Sequence, residues 1–124
     1  MALTILIEPP TVGSLSGIGI GSTRRVLQAI DPLTGDPVWT HEYPNLNGAP
    51  TTLGPGLLTT AANLLITGDD QRNLIIYSAD KGQILWHSKL AASLSNAPIT
   101  YMLDGKQWIL FGAGDSLYAY ALAD

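Results

Sequence analysis

The sequence is 124 residues long, 46% hydrophobic and only 13% charged, a balance that excludes long disordered or solvated charged segments. Its net charge of −4, with no basic run, argues against nucleic acid and anionic membrane surfaces as partners. The absence of cysteine excludes disulfides, thiolate metal sites and cysteine nucleophiles together.

Met1 to Pro10 holds an apolar run, Ala2 to Ile7, without a basic leader and too short for a signal-peptide core or a membrane span. It reads as a strand. Pro9 to Ser22, with Gly13, Gly17, Gly19 and Gly21, reads as a loop. The Gly17-x-Gly19-x-Gly21 spacing superficially suggests a phosphate-binding loop, but neither an amphipathic helix nor a suitably spaced lysine follows it. Arg24-Arg25 lies too far into the chain, before too polar a segment, for a twin-arginine export signal.

From Arg24 onward short strands alternate with turn signals, and no segment supports a helix. The pattern predicts strands near 24–31, 36–43, 56–61, 63–68, 73–79, 83–90, 97–103, 107–113 and 116–122. Leu74 to Tyr77, Trp108 to Phe111 and Leu117 to Leu122 are apolar on both faces, as in strands covered on both sides. The strands that carry Trp39 and Trp86 turn polar immediately afterwards, in Thr40-His41-Glu42 and His87-Ser88-Lys89, and read as outer strands. That places both histidines at a solvent-facing rim.

The organising signal is internal. Ala29 to Trp39, Ala-Ile-Asp-Pro-Leu-Thr-Gly-Asp-Pro-Val-Trp, returns in weaker form as Ile76 to Trp86, so that the two tryptophans lie 47 residues apart. A period of that size marks a repeat built from one four-stranded unit, the size of a propeller blade. Asp31 can accept a backbone N–H, Pro32 presets φ and Gly35 takes positive φ, which together specify a tight hairpin. In the second copy Ser78 replaces Asp31 and Lys81 replaces Thr34, while Gly82 and Trp86 keep their places. The expected fold is all-β: a partial β-propeller of about two to three four-stranded antiparallel blades, with repeat units near 24–44, 50–90 and 96–124 behind an N-terminal strand and glycine-rich loop over 1–23. A chain of this length is too short to close a ring of such blades.

The Ala29 to Trp39 stretch resembles the tryptophan-docking motif of the pyrroloquinoline quinone (PQQ) dehydrogenases, quinoproteins that oxidise alcohols and sugars. Leu64 to Asp69, Ala97-Pro98-Ile99-Thr100-Tyr101 and Asp104-Gly105-Lys106-Gln107-Trp108 resemble the C-terminal blades of those enzymes, so that the likeness runs from about residue 24 to 122. It implies a structural docking set of Asp31, Gly35, Trp39, Gly82 and Trp86, with each tryptophan anchoring one blade to the next, and a periplasmic location.

The same resemblance implies PQQ and Ca²⁺ in a central channel, with the metal ligands and a catalytic Asp contributed by blades that precede this region. Leu57 to Ala61 resembles the channel-facing inner strand, which makes Thr59, Thr60 and Ala61 the candidate cofactor-lining residues. Ala62-Asn63 stands where the family has a glycine pair. No catalytic residue and no metal ligand is recognisable, and the adjacent Asp69 and Asp70 belong to a hairpin turn with Arg72. Two functional classes follow. One is the C-terminal part of a PQQ-dependent dehydrogenase, incomplete without its earlier blades; the other is a non-catalytic scaffold like the outer-membrane assembly lipoprotein of the same superfamily. The expected partners are the remaining blades or further copies of the chain.

Overall fold

A computed structural model describes residues 4–8, 25–43 and 55–123. The glycine-rich loop over Pro9 to Ser22, with its phosphate-loop spacing, lies outside the described residues. Among those residues the chain is all-β, with no helix. It divides into two compact units: the first runs to Gly54 and takes in Asp80–Gly82, and the second comprises Pro55–Ala79 and Gln83–Asp124.

The first unit carries an antiparallel sheet of β1 (Thr4–Glu8), β2 (Arg25–Ile30) and β3 (Pro37–Tyr43), in that spatial order. The strand expected near the N-terminus pairs with β2 from Thr4↔Ile30 to Glu8↔Val26. The β2–β3 hairpin closes as its turn residues dictate. Asp31 N–H donates to Asp36 O at 2.9 Å, Gly35 N–H to Asp31 O at 2.7 Å, and the Asp31 carboxylate accepts Leu33 N–H at 2.8 Å. Gly35 has φ +78°, a left-handed conformation that a Cβ would oppose. A register shift between Ala29 and Ile30 sets Trp39 opposite Ala29, and Leu27 and Ala29 of the central strand are fully buried.

The second unit holds two antiparallel sheets. One has the order β4 (Leu58–Thr59), β5 (Leu64–Gly68), β6 (Asn73–Ser78), β7 (Ile84–Lys89); the other is β8 (Ile99–Leu103), β9 (Lys106–Ala113), β10 (Ser116–Ala121), with β9 central. Their core joins Ile66 and Leu74 from the first sheet to Phe111 and Ala113 from the second, with Leu90 and Leu94 of the connecting segment between them. Phe111, fully buried, stacks on Tyr118 at a centroid distance of 5.3 Å and meets Tyr120 edge-on at 5.2 Å. Offset-stacked and T-shaped pairs of this kind add to plain area burial. The link between the sheets is pinned by polar bonds: Gly112 N–H donates to Asn96 Oδ1 at 2.8 Å, and Ser95 N–H to Gly112 O at 2.9 Å.

Two expectations change. The strand read over 56–61 contracts to Leu58–Thr59; beyond it Thr60 N–H donates to Leu64 O at the base of the hairpin, and before it Gly56 O accepts the Thr67 hydroxyl. Leu117 to Leu122 is not covered on both sides. β10 lies at the edge of its sheet, which leaves Leu117 72% exposed. In the second unit, edge strands β7, β8 and β10 leave Ile84, Leu85, Ile99, Met102 and Leu117 open to solvent, whereas Leu74, Ile75 and Tyr77 of β6 are buried.

This division predicts two substitution costs. Phe111→Ala should lose about 3–5 kcal/mol in chemical denaturation, as a fully buried aromatic does, while Leu117→Ala should stay within about 0.5 kcal/mol of the parent. Equal losses at the two positions would contradict the placement of the core.

Candidate functional site

The second hairpin repeats the first hairpin's closing backbone bond. Ser78 N–H donates to Gln83 O at 2.8 Å where Asp31 N–H donates to Asp36 O, and the Ser78 hydroxyl accepts Gln83 N–H at 3.2 Å. A register shift between Ile76 and Tyr77 sets Trp86 opposite Ile76, as Trp39 lies opposite Ala29. Gly82, at φ +65°, is the counterpart of Gly35.

The two glycines differ in what faces them. In the first unit the indole of Trp39 lies directly on Gly82: a Cβ built there would fall 2.6 Å from Cδ2 and 2.8 Å from Cε3. Gly35 meets nothing within 4 Å. His41, two residues beyond Trp39 and so on the same face of β3, directs Nε2 at Gly82 O, 2.5 Å away. A carbonyl only accepts, so Nε2 carries the proton. His41 is therefore half-buried and engaged, in contrast to the solvent-facing rim position expected of both histidines; His87 is exposed. The signal available in the sequence was the two-residue spacing from the tryptophan. Trp86, in the second unit, meets the Tyr120 ring edge-on at 6.1 Å and remains 45% exposed.

Thr59, Thr60 and Ala61 do not converge. Thr59 and Ala61 are exposed, and Thr60 turns its hydroxyl inward, where Oγ1 is buried without a hydrogen-bond partner. An atom without accessible surface cannot meet a cofactor unless the turn rearranges. Asn63 adopts φ +63°, so asparagine takes a left-handed position that glycine would otherwise fill. Asp69 serves its turn: Oδ1 accepts Gln71 N–H at 2.8 Å and Asn73 N–H at 2.9 Å, and Oδ2 accepts Asn73 Nδ2 at 2.7 Å. Among the described residues no three His, Asp or Glu side chains cluster as metal ligands.

Residues 23–124 match the family PQQ_2, described as outer membrane protein assembly factor BamB. The chain belongs to this family. It is also 36% identical over 89 residues to the quinoprotein alcohol dehydrogenase PedH of Pseudomonas putida, covering 72% of the chain and 14% of that enzyme. The quinoprotein glucose dehydrogenase of Gluconobacter oxydans is 30% identical over 131 residues, covering 93% of the chain and 16% of the enzyme. Among solved structures, the quinohemoprotein alcohol dehydrogenase ADHIIG of Pseudomonas putida HK5 superposes with a TM-score of 0.66 at 34% identity, over 79% of this chain and 14% of that one. The corresponding enzyme from Comamonas testosteroni gives 0.63 at 30% identity, over 73% and 13%. The fold is thus that of part of a quinoprotein β-propeller, similar to the C-terminal part of those dehydrogenases. The chain spans 11–14% of the length of the curated relatives it matches first.

The contrast between the two glycines yields a double-mutant cycle. Gly35→Ala and Gly82→Ala each incur the left-handed penalty of about 1–2 kcal/mol, and Gly82→Ala adds about 1–3 kcal/mol of overpacking against the indole. In a Trp39→Ala background that added cost should vanish. Equal losses at both glycines in denaturant titrations, whichever residue occupies position 39, would show that the indole does not rest on Gly82.

Proposed function

We propose that this chain is the C-terminal propeller segment of a PQQ-dependent dehydrogenase that oxidises alcohols or sugars, and that it is not catalytically complete by itself. The observation that supports the reading best is the 36% identity to PedH over most of this chain but only 14% of that enzyme. Quinone-dependent oxidation needs a positioned base, a divalent cation and a channel that holds both against the substrate. The described residues supply strands and turns to such a channel but no cluster of carboxylate or histidine ligands, so base and cation site fall to the preceding blades. On this reading the assembled protein would work in the periplasm, as the resemblance implies.

A second reading, a non-catalytic assembly scaffold, is favoured by one observation, the description of the matching family as outer membrane protein assembly factor BamB. The two readings separate on cofactor chemistry. A chimera in which residues 23–124 replace the corresponding C-terminal blades of ADHIIG from Pseudomonas putida should fold, hold PQQ and reduce an artificial dye with alcohol, while the isolated chain with PQQ and Ca²⁺ should do neither. A folded chimera without PQQ would favour the scaffold. Saturable PQQ binding and dye reduction by the isolated chain would overturn its incompleteness.

A further inference from the structure

The aspartates of the turns differ in what occupies them. Asp31 and Asp36 precede prolines, which have no N–H. The Asp69 carboxylate accepts Gln71 N–H, Asn73 N–H and Asn73 Nδ2, and the Asp115 carboxylate accepts the Ser116 hydroxyl. Asp104 is placed otherwise. With Gly105 it forms the two-residue loop of the β8–β9 hairpin, closed by the Leu103↔Lys106 pair. Both loop residues have positive φ, +51° and +75°, as a type I′ turn requires. Among the described residues no hydrogen bond reaches the Asp104 side chain or Gly105. Both residues are exposed, and a Cβ at Gly105 would meet nothing within 4 Å.

We infer that Asp104 is a site of spontaneous covalent modification, at which the chain passes from an α-aspartyl to a β-aspartyl linkage. The Gly105 amide nitrogen attacks Cγ of the protonated Asp104 carboxyl, a new N–C bond closes a succinimide ring, and the carboxyl hydroxyl leaves as water with the amide proton. Water then adds to either ring carbonyl. Addition at Cγ restores aspartate; addition at the main-chain carbonyl carbon breaks its bond to nitrogen, routes the backbone through Cγ and frees the α-carboxyl group. Water is the only co-reactant, and the mass of the chain returns to its starting value. Of the chain's aspartates Asp104 alone precedes glycine, whose nitrogen has no neighbouring side chain to obstruct the approach. The reacting groups are also unrestrained, whereas three hydrogen bonds hold the Asp69 carboxylate in place. Positive φ is disfavoured for a residue with a Cβ, so the turn itself resists departure weakly. The β-linkage adds a methylene to a loop that two residues fit, and so unfastens the Leu103↔Lys106 pair. Among the described strands β8 pairs with β9 alone, and all of its residues are exposed, so it loosens from the turn end first. The inference rests on this turn and not on the dehydrogenase reading; its failure would leave the cofactor test of the chimera untouched.

The experiment incubates the purified 124-residue chain at neutral pH and body temperature in water labelled with heavy oxygen. Circular dichroism verifies that the chain stays folded, and tryptic mapping follows in ordinary water. The peptide Leu90–Lys106 holds Asp104 as its only aspartate, and fragment ions separate label at Asp104 from label at Asn96. Asp104 should gain label severalfold faster than Asp69, Asp80 or Asp115, and the peptide should acquire a second chromatographic form of the same sequence. Asp104→Asn, which suits the same turn and loses ammonia in place of water, should convert faster still. Asp104→Glu, whose ring would be larger by one carbon, should gain no label at that position. Absence of label at Asp104 in the folded chain would overturn the inference. Equal label at all the aspartates, or undiminished label in Asp104→Glu, would overturn it as well.

Discussion

A glycine held in the left-handed region, at the tip of a hairpin whose base is closed by one backbone hydrogen bond, is the constraint on which the rest of this structure depends. Positive φ is tolerable there because glycine has no Cβ. The same absence leaves a bare patch of backbone onto which an indole can lie flat. The turn residue and the packing residue are thus one requirement seen twice: Gly82 is needed both by its own hairpin and by Trp39. Once the turn is fixed, the register shift beyond it aims the tryptophan, and His41, two residues further, reaches the Gly82 carbonyl. Asp31 and Ser78 do related work by different chemistry, a carboxylate accepting Leu33 N–H and a hydroxyl accepting Gln83 N–H.

In the second unit the constraint is aromatic. Phe111 between Tyr118 and Tyr120 holds β9 and β10 in register with each other, while Leu90 and Leu94 carry the core across the connection between the two sheets. Every hydrogen-bonded carboxylate described in detail, Asp31 and Asp69 included, is committed to a turn. A chain built this way supplies walls and spacing. Those carboxylates are used in shaping the backbone.

Most of the strand pattern was legible because turn chemistry is local: Asp31 to Gly35, Asp69 to Asn73 and Asp104-Gly105 each fix a reversal with residues adjacent in sequence. The repeat was legible for the same reason, since a glycine and a tryptophan at constant spacing survive the loss of Asp31 to Ser78. What could not be read was lateral neighbourhood. The sequence of β10 is as apolar as that of β6, yet β6 buries Leu74, Ile75 and Tyr77 while β10, at the edge of its sheet, packs Tyr118 and Tyr120 against the core and leaves Leu117 72% exposed. Of the candidate lining residues, Thr59 and Ala61 are exposed while Thr60 buries its hydroxyl oxygen, a difference that no local sequence signal sets.

The central claim is that the Trp39 indole lies on the backbone of Gly82, and its most direct measurement is the proton spectrum of that glycine. In the Trp86→Ser background, which removes the second indole, the Gly82 Hα resonances should be displaced upfield by the ring current. They should also show nuclear Overhauser contacts to the Trp39 ring, while Gly35 Hα stays near its unperturbed position. Gly82 Hα shifts indistinguishable from those of Gly35, with no contact to the Trp39 ring, would contradict the account.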